Sequence, residues 1–200
     1  MGVSSERPDA RIATPSPQSV NGHEAKPFVL VTMGMEHHPF DRLVRWVDGW
    51  LATDAGARVE CLIQSGPAAP PSHAESVDFL EYRDLEDALA RAAIVVCHAG
   101  PGSIMMAKWL GHRPIVVPRL ARFGEVVDDH QVTFGRQLAS EGDVVIAESE
   151  ASLAAALDEA VAGPPPPRSQ GPSLPMTEAV ARLAELVEGL VSTSRRRAGR

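Results

Sequence analysis

From Pro27 onward, apolar and polar positions follow two alternating rhythms. Short, nearly continuous apolar runs at Phe28–Thr32, Arg58–Ile63, Val77–Leu80, Ile94–Cys97, Pro114–Val117 and Val144–Ile146 read as strands. Between them lie stretches with helical spacing. They run from about Phe40 to Ala55, from Asp84 as N-cap to Ala92, over Ile104–Leu110, from Asp128 or Asp129 to about Ser140, and over Ser152–Val161. Gly142 stands where a helix C-terminus favours glycine. Strands this apolar are buried on both faces, which calls for a parallel sheet covered by helices. The pattern therefore predicts an α/β domain over residues 27–162, a doubly wound parallel sheet of Rossmann-like type.

The flanks break the pattern. Residues 1–26 are polar and rich in Pro and Ser, with no apolar core of a secretory signal, and they predict a disordered segment. Gly163 and the four prolines after it open a stiff linker over residues 163–175. Residues 176–192 are amphipathic, with Val180, Leu183, Leu186, Val187 and Leu190 at helical spacing, fitting a helix that docks on the domain or on a partner. Residues 193–200 form a basic tail, read as solvated or as weakly drawn to an anionic membrane surface.

Composition narrows the classes. A net charge of −7 argues against nucleic acid as a partner. No apolar stretch reaches the roughly 18 residues that span a bilayer. Cys61 and Cys97 lie inside apolar runs, as buried free thiols of a reducing compartment do, so a cytoplasmic location is expected.

The chemistry gathers at the ends of the strands. After the fourth run come His98, Gly100, Gly102 and Ser103, followed at once by a helix. Glycine lets a backbone approach a ligand closely, and a helix N-terminus attracts an anion. The turn reads as a phosphate seat or as an ordinary strand-to-helix connection. Gly34 to His38, Gln64 to Gly66, Tyr82-Arg83 and Pro118 to Gln131 follow other strands in the same sense. In an open parallel sheet such segments share one crevice. Asp128 and Asp129 do not read as a metal pair, because adjacent helix positions face apart. His98 also fits a strand-end histidine bonded to backbone, and Gln131 a surface helix position.

His98-Ala99-Gly100-Pro101-Gly102-Ser103, then Pro118-Arg119, Gly124-Glu125 and Asp128-Asp129-His130-Gln131, resemble the glycosyltransferase family 28 C-terminal domain. That domain is the donor half of a GT-B fold. The likeness extends to Gly34 and Pro39-Phe40-Asp41-Arg42-Leu43 and covers about residues 28–160. It is strongest to the single-domain, PssE/EpsE-like form, and it includes the C-terminal half of MurG and the soluble subunit of the dolichol-pathway N-acetylglucosaminyltransferase. The resemblance implies a hexosyltransferase subunit that binds a UDP-sugar. Gly100, Gly102 and Ser103 would hold the diphosphate, with His98 and Gly34 beside it and Tyr82 where the uracil ring is read. His130 and Gln131 would bond hydroxyls of the sugar. Asp129 would cap their helix or reach a hydroxyl, and Glu125 would lie on the loop facing the cleft.

It further implies inverting transfer without a metal or other cofactor, and no acceptor half in this chain. A membrane-anchored, PssD-like acceptor-binding subunit would supply that half, hold a polyprenol-diphosphate-linked acceptor, and place this chain peripherally at the inner face of the plasma membrane, in exopolysaccharide or glycolipid synthesis. The general base would come from that partner, with His37 or His38 as candidates in this chain. Two positions depart from the family. Met106 stands where an acid grips the ribose, and Met35-Glu36-His37-His38 replaces the usual first loop. Met106 favours an alternative, a non-catalytic subunit that stabilises or stimulates a partner glycosyltransferase. A sugar-nucleotide enzyme such as an epimerase half is the third reading.

Overall fold

The computed structural model describes residues 26–163. The expected N-terminal segment, the prolines of the linker, the amphipathic helix and the basic tail lie outside the described residues. Within them six strands form one parallel sheet in the order β3-β2-β1-β4-β5-β6. The strands are β1 Phe28–Thr32, β2 Glu60–Gln64, β3 Glu75–Val77, β4 Ile94–His98, β5 Ile115–Val117 and β6 Val145–Ile146. The helices are α1 Asp41–Leu51, α2 Tyr82–Arg91, α3 Pro101–Trp109, α4 His130–Ser140 and α5 Glu150–Ala162. This is the doubly wound Rossmann-like architecture that the pattern predicts.

Alternation along β1 explains the layers. Val29 and Val31 pack with Phe40, Leu43, Val47 and Trp50 of the α1 region and with Leu153 and Leu157 of α5. Leu30 points to the opposite face, toward Leu80, Leu89 and Val95. Cys97, Ala99, Ile104, Val116 and Val144 extend that second face under α3 and α4. Leu30, Phe40, Leu43 and Leu153 have no exposed surface, and each such side chain stabilises the fold by about 1.5–3 kcal/mol. The indole Nε1 of Trp50 donates to Asp158 at 2.8 Å, tying α1 to α5. Cys61 and Cys97 are free thiols, and Cys97 is buried.

Several boundaries move from the expected places. β3 ends at Val77, where the sequence pattern starts it, because its backbone pairs with Leu62–Gln64 over Glu75–Val77. The helix after it begins at Tyr82 with Glu81 as N-cap, so Asp84 lies in its first turn and favours the helix dipole from inside. α1 stops at Leu51, and a short 3₁₀ turn at Gly56–Arg58 follows. α3 starts at Pro101, not Ile104: proline at the first helical position loses no hydrogen bond, and Gly100 is the N-cap. α5 opens two residues early, on a Ser149–Ser152 capping box.

β1 lies between β2 and β4, so the chain runs to one side of β1 first and to the other side later. The loops leaving the carboxyl ends of β1 and β4 part there, as they do at the ligand crevice of open α/β sheets. Among the described residues no helix is long and apolar enough to cross a membrane.

Candidate functional site at the carboxyl ends of β1, β4 and β5

The crevice is built around His98, the last residue of β4. Its ring occupies the space that side chains would take at Gly34 and Gly100. A Cβ on Gly34 would stand 2.5 Å from Cε1 and 2.9 Å from Nε2 of His98, and one on Gly100 would overlap Nε2 more closely still. Gly34 also needs its positive φ of 72°. Burial pushes the His98 imidazole down to about 4, and the Arg119 charge acts in the same direction. The ring is therefore neutral at physiological pH, and its buried Nδ1 has no hydrogen-bond partner among the described residues.

Beyond Gly100, the first turn of α3 presents Gly102 and Ser103. Helix geometry leaves first-turn N–H groups without intrahelical acceptors, and no side chain caps this helix. The bond from Ile104 N–H to the Gly100 carbonyl, at 3.1 Å, opens the ladder. Nothing lies within 4 Å of a Cβ built on Gly102. Gly100 is required by His98; no neighbour among the described residues requires Gly102.

Under the rim lies a charged cluster that sequence reasoning missed. Arg119, only 1% exposed, reaches three carbonyls: His38 at 2.8 Å and Glu125 at 3.0 Å through Nη1, and Met33 at 3.0 Å through Nη2. Its guanidinium lies 4.6 Å from the centroid of the Phe40 ring. Beside it Arg42 donates to both oxygens of Glu125, at 2.9 and 2.7 Å, and to the Pro118 carbonyl at 2.7 Å. Glu125 was expected on the loop facing the cleft. Its side chain is instead buried and fully engaged, since Oε2 also accepts from the Leu120 N–H at 2.9 Å. The partners stand 83 residues apart, so no local pattern announces them.

The start of α4 forms the other wall. Gln131 is buried; its Oε1 accepts from the Arg119 N–H at 3.2 Å, which leaves its amide N–H₂ as a donor. His130 is exposed, with Nδ1 on the Asp128 carboxylate. Asp129 occupies the N-cap position but makes no side-chain cap bond. Its carboxylate accepts from Ala121 N–H at 2.8 Å, while Asp128 accepts from His130 N–H at 3.0 Å. The cap expected from Asp129 is thus redirected to the neighbouring turn. Tyr82 is the first residue of α2 and is 54% exposed. Met106 packs beside the Leu30–Leu80–Leu89 cluster. No three His, Cys, Asp or Glu side chains among the described residues converge as metal ligands do.

The fold defines a Rossmann-like α/β domain with its crevice at the carboxyl end of the sheet. The chain belongs to the glycosyltransferase family 28 C-terminal domain family, whose model matches residues 28–187. No curated protein matches its sequence. Among solved structures it is similar to CalG4, the calicheamicin glycosyltransferase, at 14% identity and a TM-score of 0.52, over 74% of this chain and 37% of that one. It is also similar to the glycosyltransferase of kitacinnamycin, at 18% identity and 0.53, over 70% and 36%. A third is MurG from Acinetobacter baumannii, at 18% and 0.47, over 70% and 41%. The first two show a shared GT-B half-fold. The chain spans well under half the length of these proteins.

Proposed function

We propose that this chain is the donor-binding part of an inverting glycosyltransferase that uses a UDP-sugar and completes its active site with a membrane-anchored acceptor subunit. Gly102 carries the reading. A glycine inside a helix costs about 0.5–1 kcal/mol relative to alanine, and no contact within the described structure accounts for it. A bare backbone at the positive end of α3 admits a diphosphate at hydrogen-bond distance. Charge that builds on the leaving diphosphate then meets the N–H groups of Gly102 and Ser103, which stabilise it without reorganising. Neutral His98 flanks that charge, the free amide of Gln131 and the imidazole of His130 face the hexosyl hydroxyls, and Tyr82 borders the base. The acceptor would be a polyprenol-diphosphate-linked sugar, which places the assembly at the cytoplasmic membrane face.

Calorimetry with UDP tests this. Micromolar binding is expected, with a loss of tenfold or more in Gly102→Ala although its thermal stability rises slightly, and complete loss in Gly102→Asp. Wild-type binding that persists unaltered in Gly102→Asp refutes it. A second reading follows from Met106, which meets the core and offers no acceptor to a ribose: a subunit that stabilises a partner glycosyltransferase without binding donor. Absence of UDP binding in the wild type selects that reading.

A further inference from the structure

The first loop, where the chain departs from its family, holds a histidine–carboxylate pair. His38 Nδ1 lies 3.0 Å from Glu36 Oε1. We propose that His38, oriented by Glu36, is a general base contributed by this chain, and that the chain alone therefore hydrolyses UDP-sugars with water in place of the acceptor. The inference rests on the donor-binding reading above.

Three observations carry it. First, the pair has the geometry of an oriented base. The hydrogen bond with His38 holds the Glu36 carboxyl below the usual carboxylate range, so it is ionised and only accepts. Nδ1 must then carry the proton of the neutral ring, and Nε2 is left with its lone pair. The side chain is 44% exposed, so water reaches it. Second, the loop is held in place. Arg119 binds the carbonyls on both sides, Met33 and His38, and Gln64 Nε2 donates to the Gly34 carbonyl at 3.3 Å. Third, the pair stands at the crevice. Arg119 joins the His38 carbonyl to Gln131 on the opposite wall, and Gly34, two residues before Glu36, abuts the His98 ring. Of the other two such pairs among the described residues, Asp128 with His130 lies within a single turn, and the second joins His73 to Asp48 of α1.

The step balances. A lone pair of the water oxygen attacks the anomeric carbon as the bond from that carbon to the diphosphate oxygen breaks. The bonding electrons leave with UDP, the water proton passes to His38 Nε2, and the sugar is released with inverted configuration. The charged groups bonded to His38 are Glu36 of its own loop, on the ring, and Arg119 beyond β5, on the backbone carbonyl.

The test measures UDP release by the full chain from UDP-glucose, UDP-galactose, UDP-N-acetylglucosamine and UDP-glucuronate, beside calorimetric UDP binding. Release above the buffer rate is expected for at least one donor. A general base contributes about 10²–10⁴-fold, so His38→Gln should lose at least 100-fold while UDP affinity and melting temperature hold. His38 meets Arg119 only through its backbone, and the substitution spares that contact. Glu36→Gln should fall between the two. The inference is overturned if wild type binds UDP without releasing it from any donor, if His38→Gln hydrolyses as fast as wild type, or if release depends on His130 instead. No UDP binding at all overturns the parent reading.

Discussion

Replacing Glu125 separates two accounts of that residue. The resemblance places it facing the donor; the structure makes it the counter-ion of a buried guanidinium. Its side chain and that of Arg42 are 4% and 8% exposed, and the carboxylate takes two bonds from Arg42 and one from the Leu120 N–H. Glu125→Ala would leave Arg42 with the Pro118 carbonyl and aromatic contacts to Phe40 and Trp46. Breaking one side of a buried ion pair costs about 3–5 kcal/mol, whereas replacing both partners with apolar residues is neutral or stabilising by about 1–4 kcal/mol. Against a usual total of about 5–15 kcal/mol, the single variant should lose a large share of its stability. The double variant Arg42→Met/Glu125→Leu should not. Urea titrations followed by far-ultraviolet circular dichroism, compared at equal m-value, measure both. A loss under about 1 kcal/mol in Glu125→Ala, with UDP binding abolished, would refute the structural account and return Glu125 to the cleft.

Gly100→Ala should destabilise by about 1–3 kcal/mol through overlap with His98. A His98→Ala background should remove most of that cost, because Gly100 has an ordinary φ of −88°; Gly34→Ala should stay strained in the same background. His98 stays neutral in the fold down to about pH 4, against an ordinary value of 6.5. The unfolded chain binds the extra proton between those values, so stability is full above pH 6.5 and falls as pH drops toward 4, by up to roughly 3 kcal/mol. Unfolding curves of His98→Gln should lack that component. Trp50→Phe should cost about 1 kcal/mol by leaving Asp158 without its 2.8 Å donor, read from the chemical denaturation midpoint. Burial pushes the thiols of Cys61 and Cys97 up to about 12, so a disulfide reagent at neutral pH should label them only on unfolding.

The sheet was legible because each buried strand is an apolar run and each strand end a polar, glycine-bearing turn. The family followed from ordered motifs in those turns. Legibility failed where the deciding partner is remote. Phe79 is apolar yet 52% exposed, so apolarity extended the third strand past the backbone pairing that ends it at Val77. Pro101 marks the true start of α3, but proline reads as a breaker unless its place at the first helical position is seen. Glu125 and Arg119 look like cleft residues in sequence, since their partners Arg42, Met33 and His38 come from a different βα unit. Asp129 reads as a cap, and the Ala121 N–H that takes its carboxylate is visible only in three dimensions.

Arg119 has a mechanical consequence. One guanidinium grips the backbone before Gly34, the backbone at His38 and the backbone at Glu125, while the same residue's N–H holds Gln131. Two loops that would otherwise fluctuate separately, the one after β1 and the one after β5, share a single anchor. A donor that draws the first loop inward must also drag the turn that leads into α4, so the rim closes as one body or stays open as one.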